Sequence, residues 1–484
     1  MPLVLAGVVF LPASSGADWI TDDRYLIASH LRPGDVVGEW TTPTHAHAAD
    51  VVGGYLWRPL TSTVYQLHAA IFGRTPGPFR VLSACVHLVN IVLIWAVSRR
   101  LGAPAAAAGL GALLFALHPL APDAVCWISD LYDVLAASFL LLGGWVALGS
   151  GRLGVRVAGS AALFLCALLS KEAALAWAAA LPAALLLLRG WRPAGLHGVA
   201  LGLTAALHAS WHASIVGAFE RSAMDMMRQT PFIRTWLDYL WWPVGMPVEA
   251  GYTHLLTPGQ IPLSVGGVSV LVMLTASLLA VWLRPSPAVR NLAVGLGIWC
   301  VMVAPGALAA ASFLNQAARY LYLPLAVAVP ALVASVAASA DGLPPSRRQL
   351  VAFLAGAWIL SWAPRTLTRI GDWSSEPALY LAEHEAEPQN PFAAKELGRL
   401  LFGAGEVDAG LRLWAEALER PPASRFVMDV QAERLELAQA AASVGRAPLA
   451  VASLDAFIAS EARAGRPVDP SVTALRARLD EGAP

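Results

Sequence analysis

The chain has 484 residues, 57% of them hydrophobic and only 14% charged, with 33 basic and 33 acidic side chains balancing to zero. A soluble globular protein carries about 25% charged residues, so the composition excludes an ordinary soluble domain and points to a polytopic α-helical membrane protein. A net charge of zero removes any electrostatic case for a nucleic-acid partner.

In chain order, Met1–Ala13 is a short apolar start without a basic n-region, read as a trimmed first helix. A polar segment at 16–78 follows, too long for a simple connection. Ten apolar runs come next, near 80–98, 104–120, 131–149, 155–170, 173–188, 195–213, 262–283, 291–311, 320–339 and 349–363, giving about eleven spans. The stretch "PFIRTWLDYLWWPVGMPV" (231–248) is rich in Trp and reads as an interfacial helix. Arg99/Arg100, Arg152/Arg156, Arg189/Arg192, Arg284/Arg290 and Arg347/Arg348 then mark one side as cytoplasmic. Asp22/Asp23, the 118–130 loop, Lys171, Arg319 and the C-terminal part take the other face.

From Trp373 the chain becomes charged and amphipathic. "PFAAKELGRLLFGAGEVDAGLRLWAEALERPP" reads helix, Gly turn, helix, Pro stop. Leu397, Gly398, Ala409, Ala417 and Pro421 fit the tetratricopeptide pattern, and Gly405 and Gly445 repeat the turn. Residues 365–484 are therefore expected to form a tetratricopeptide-like solenoid, with an ordinary helical bundle as the alternative. The four cysteines, Cys85, Cys126, Cys166 and Cys300, are scattered without metal-ligand spacing. Only two basic residues are lysines, Lys171 and Lys395, a bias that suggests a GC-rich bacterial genome.

Charged groups near membrane depth suggest function. Adjacent Asp22 and Asp23 repel, which raises the pKa of one and lets either accept a proton from a hydroxyl. The alternative is a solvated turn pair. Arg58 in "YLWRPL" carries a fork suited to phosphate, or it snorkels. "HPLAPDAVCWISDLYDVLAASFLLL" (118–142) holds His118, Asp123, Asp130 and Asp133. Of these, Asp130 and Asp133 share a helical face or cap the helix that follows. Lys171 and Glu172 sit in "LLSKEAAL", where an ammonium can meet a phosphate or simply occupy a turn. Arg319, with Tyr320 and Tyr322 in "RYLYLP", can hold a lipid phosphate or anchor an aromatic belt. "THAHAAD" offers His45, His47 and Asp50, more readily a solvated loop than a metal site. His87 and His208 in apolar runs read as core histidines.

The order of these stretches, an early Asp-Asp, "WRPL", "HLVNIVLIW", the "HP…DAV.WIS…DVL" block, "LLSKE", "RYLYLP" and a repeat tail, resembles the transmembrane and tetratricopeptide-repeat O-mannosyltransferase family. The resemblance covers nearly the whole chain. It implies a GT-C glycosyltransferase fold, a polyprenyl-phosphate sugar donor and no cofactor besides it. It also implies inverting transfer to a Ser or Thr hydroxyl of an exported protein, outside the cytoplasm. By position, Asp22 or Asp23 is the base, Asp22 being preferred. Arg58, Lys171 and Arg319 stabilise the departing phosphate, and His118, Asp123 and Asp133 shape the pocket, with Asp130, Glu172, Tyr320 and Tyr322 beside them. The chain departs from the family's Gly-Arg at Asp130-Leu131, and has Ala318 where an acid is usual. The expected location is a bacterial inner membrane, with a protein partner possible on the repeat tail. Two other classes compete: a lipid-linked sugar transporter, which should show inverted repeats, and a non-enzymatic cell-envelope scaffold.

Overall fold

A computed structural model describes residues 2–10, 18–24, 27, 36–43, 56–216, 232–245, 254–255, 263–283, 286–420 and 428–481. Among them the protein is almost entirely helical. The described residues divide into two compact units, the first drawn from 1–248, 262–310 and 318–376 and the second from 249–261, 311–317 and 377–484.

In the first unit every expected apolar run is a helix. In chain order they are α1 (Pro2–Phe10), α2 (Val36–Thr41), α3 (Pro59–Phe72), α4 (Pro76–Arg100), α5 (Ala105–Ala116), α6 (Ala121–Cys126), α7 (Leu131–Ala147), α8 (Leu153–Leu168), α9 (Trp177–Arg189), α10 (Trp191–Val216), α11 (Phe232–Gly245), α12 (Val265–Leu283), α13 (Pro287–Phe313), α14 (Tyr322–Ala340), α15 (Pro345–Leu360) and α16 (Ala363–Asp372). Among the described residues eight helices are long and apolar enough to cross a membrane, so the protein is a multi-pass, all-α membrane protein. Three of the eleven expected spans, α1, α5 and α8, are shorter. The long 16–78 segment is not bare loop, since α2 and α3 lie within it and α4 begins at Pro76.

Interhelical polar contacts fix the centre. Asn90 on α4 donates to the Val134 carbonyl of α7 (2.8 Å), and the His87 Nδ1 meets the Tyr322 hydroxyl at 2.7 Å. In a bilayer such groups have no water to turn to, so they pair between helices. Small residues set the closest approaches. A Cβ on Gly267 would stand 1.8 Å from the Leu237 carbonyl oxygen, so α11 and α12 touch only because that side chain is absent. The 14-residue α11 rises about 21 Å at ~1.5 Å per residue, short of a bilayer core of about 30 Å. Its Trp236 indole donates to the Cys300 carbonyl, and the Trp299 indole of α13 donates to its Leu240 carbonyl.

The arginines of the short loops gather at one end of the helices. Arg100 lies against Gly149 and over the Trp145 ring (3.6 Å), Arg156 donates to the carbonyls of Ala147 and Gly149, and Arg189 donates to that of Leu148. Asn291 reaches the Leu101 carbonyl at this same end. The N-termini of α4, α7 and α14 point the other way, toward Asp23, Ser129 and Arg319.

The second unit contains a two-residue antiparallel ladder, His254–Leu255 against Asn315–Gln316. It continues with α17 (Glu376–Ala386, grouped with it from Pro377), α18 (Pro391–Gly403), α19 (Val407–Glu419), α20 (Val430–Ser443), α21 (Ala447–Arg463) and α22 (Pro470–Asp480). Helix starts are capped by Asn390 and Asp429, each accepting from the two backbone N–H groups two and three residues on. Gly405 (φ +93°) and Gly445 (φ +72°) make the turns inside the pairs α18/α19 and α20/α21, a conformation side chains resist. Leu411, Trp414, Leu418, Leu437, Ala441 and Leu454 form the core, and buried Glu433 accepts from Lys395, Arg399 and the Trp414 indole.

Candidate functional site

The acid pair stands on a constrained turn. Thr21, β-branched, adopts φ +53°, a conformation that costs roughly 1–3 kcal/mol and persists only where its surroundings impose it. Its N–H donates to Glu376 (3.1 Å), which also pairs with Arg24 at 2.9 Å. The two acids that follow face opposite ways. Asp22 is exposed, and Asp23 is fully buried. The Asp23 Oδ1 accepts from the Ser129 N–H (2.8 Å) and the Ser129 hydroxyl (2.6 Å), while its Oδ2 has no hydrogen-bond partner among the described residues. Burial pushes the Asp23 carboxyl up to about 7, with Asp22 adding to the rise and Ser129 and Arg80 opposing it.

Ser129 lies in the 3₁₀ turn Ile128–Asp130 that opens α7, and the Tyr65 hydroxyl of α3 holds this turn by donating to the Ile128 carbonyl (2.5 Å). Asp130 is the residue before α7, yet its side chain makes no capping hydrogen bond. The capping alternative therefore does not describe it. It lies instead in the field of Asp133, Lys171 and Arg319.

The cations are matched by carboxylates. Lys171 Nζ is 2.8 Å from the Asp133 Oδ2. Burial draws the Lys171 ammonium down, but Asp133 and its neighbours carry it above the ordinary lysine value. Arg58 grips Glu172 with Nε (2.8 Å) and Nη2 (2.6 Å), a bidentate fork, and lies over the Tyr132 ring at 4.6 Å. Arg58 is buried, whereas the Glu172 side chain is 52% exposed. Arg319 is buried over the rings of Trp127 (4.7 Å) and Tyr320 (5.0 Å). Asp23, Ser129, Asp130, Asp133, Lys171, Arg58, Glu172 and Arg319 thus share one end of the first unit. Each cation there has an anionic or aromatic partner in hand.

Three expected pocket residues have other partners. Asp123, on α6, accepts from Arg369 Nε (2.8 Å) and the Trp373 indole (2.9 Å), joining α6 to α16. His118 accepts from the Leu120 N–H through Nδ1 and packs on the Trp362 ring. Burial lowers it to about 4, so it is neutral at ordinary pH. Tyr322 belongs to the His87–Asn90 network of the core. Tyr320 is half-buried, with its backbone against Gly306. His45, His47 and Asp50 lie outside the described residues. Among the described residues no three His, Cys, Asp or Glu side chains come together to hold a metal. Reading along the chain missed Ser129, Tyr65, Arg80 and Glu376, ordinary residues locally, whose partners lie 62 to 355 positions away.

No protein-family model matches the chain, and no curated protein matches it. Among solved structures it is similar to ArnT from Cupriavidus metallidurans bound to undecaprenyl phosphate, at 15% identity, covering 94% of this chain and 79% of that one, with a TM-score of 0.42. The fold class accordingly rests on the helices themselves.

Proposed function

We propose that the protein is a GT-C glycosyltransferase that moves a sugar, mannose by the family resemblance, from a polyprenyl-phosphate donor to a Ser or Thr hydroxyl of an exported protein. The observation that carries the reading is the acid pair with divided roles, one carboxylate exposed and one buried, beside a cluster of buried cations at one end of a membrane domain. Asp22 is reachable by an acceptor hydroxyl, and reach decides first for a general base. It takes the hydroxyl proton as the oxygen attacks the anomeric carbon with inversion. The bond to the phosphate oxygen breaks, and the phosphate leaves with the bonding pair. Asp23 anchors the turn through Ser129 and supplies a second negative charge once ionised. Arg58, Lys171 and Arg319 neutralise the leaving phosphate. Glu172, half exposed, is the partner that yields Arg58 to it. In this reading the arginine-rich end is cytoplasmic, and the C-terminal helices form an extracytoplasmic, tetratricopeptide-like domain that offers a surface for a protein partner.

The test uses purified protein in lipid nanodiscs, radiolabelled polyprenyl-phosphate mannose and candidate exported proteins. Label should enter the acceptor, and Asp22→Ala/Asp23→Ala should remove it while leaving the protein folded. Transfer only from a different polyprenyl sugar would correct the donor. Unchanged transfer in the double variant would end the mechanism.

A further inference from the structure

The residue before Arg58 opens a second feature. Trp57, 2% exposed, packs in an aromatic cluster with the end of α10: its ring lies 4.8 Å from Trp211, 5.9 Å from His208 and 6.2 Å from His212. The cluster adjoins the buried cations, since Trp57 precedes Arg58 and His208 lies in the field of Glu172. A wall of rings alone is ordinary packing. Two polar atoms in it are not. Among the described residues the Trp57 Nε1–H has no acceptor and the His208 Nε2 has no partner, and both atoms are buried.

In the neutral imidazole Nε2 is a donor or an acceptor according to the tautomer. An unpaired indole donor and an unpaired imidazole nitrogen thus belong to one aromatic cluster. A hydroxyl matches that pair in either tautomer, because it accepts from the indole N–H and either donates to the imidazole nitrogen or accepts from it. Aromatic walls with a few convergent polar groups are the general make-up of a small-ligand pocket.

We propose that Trp57 and His208 form a subsite that reads a hydroxyl of the donor's sugar ring, the ring lying against Trp57 and Trp211 while its phosphate meets Arg58. Half-buried Trp211 and His212 turn aside to admit it. The assignment rests on the glycosyltransferase reading for its ligand, but not for its test.

Protein with ¹⁵N-labelled tryptophan is titrated in detergent, and the Trp57 indole resonance is identified by its loss in Trp57→Phe. Polyprenyl-phosphate mannose should shift this resonance, and polyprenyl phosphate alone should not. Equal shifts with both lipids, or none with either, would overturn the subsite, the latter leaving the pair to a buried water. In transfer assays Trp57→Phe and His208→Gln should each lower kcat/KM by about tenfold or more and reduce discrimination against a deoxy-sugar donor. Both variants must first be shown to be extracted as monodisperse protein, and wild-type discrimination in both would also overturn the proposal. A sugar-dependent shift without any transfer would keep the subsite and remove the proposed enzyme activity. Transfer without the shift would do the reverse.

Discussion

Asp23 titrates where few carboxylates do. Its buried carboxyl sits at about 7 against an ordinary 3.8, so between those values the folded chain keeps a proton that the unfolded chain has lost. Stability then falls as pH rises through this window, by up to about 4 kcal/mol for a shift of this size, and levels off above it. Asp23→Asn keeps an acceptor for Ser129 and should flatten the dependence, as thermal unfolding between pH 4 and 8 would record. In the proposed mechanism the same ionisation places a negative charge beside Asp22 and would strengthen it as a base. Transfer by the parent protein should rise through pH 7, and Asp23→Asn should lose that step. Asp22→Asn should cost about 10²–10⁴ in kcat at every pH. Activity that survives Asp22→Asn but not Asp23→Asn would move the base to the buried acid. The adjacency of the two acids was legible in the sequence. Their division into exposed and buried was not, because Ser129 approaches from 106 positions away.

Between elements, the Asp123 carboxylate ties the short α6 to α16. Among the residues around it, Arg369 and the Trp373 indole both turn to its Oδ1. Asp123→Ala would leave a largely buried guanidinium with Asp372 at 3.3 Å but without its shorter ion pair, and should destabilise the protein by about 1.5–3 kcal/mol. Asp123→Leu combined with Arg369→Met should cost less, and a comparison of melting temperatures separates the two. The motif that drew attention to Asp123 thus marks an interhelical tie, and its place beside a donor is not needed to explain it. Gly267→Ala is a second test of contacts between helices. Its methyl would meet backbone, forcing α11 from α12 at about 1–3 kcal/mol, whereas Gly202→Ala on α10 meets nothing within 4 Å. The helices themselves were legible from hydropathy. Their closest contacts depended on which glycines happened to face each other.

At the scale of the whole molecule, loop arginines at one end and the acid pair with its cations at the other give the first unit a polarity. With the four cysteines replaced, a single Phe72→Cys should react with a membrane-impermeant thiol reagent added outside intact cells, and Arg348→Cys should react only after permeabilisation. Both positions are exposed, so a reversed pattern would invert the orientation and place the site in the cytoplasm. Hydropathy and charge along the chain were enough for the α-helical membrane class, the position of each apolar helix and the arginine-marked loops. Those properties are sums over neighbouring residues, and every summand is visible along the chain. That Arg58 holds Glu172, Lys171 holds Asp133, Asp123 holds Arg369 and Asp23 is sealed against Ser129 emerges from packing in three dimensions. Coulomb energy and desolvation depend on distance and burial, which for these groups are set by helices brought together from distant parts of the chain.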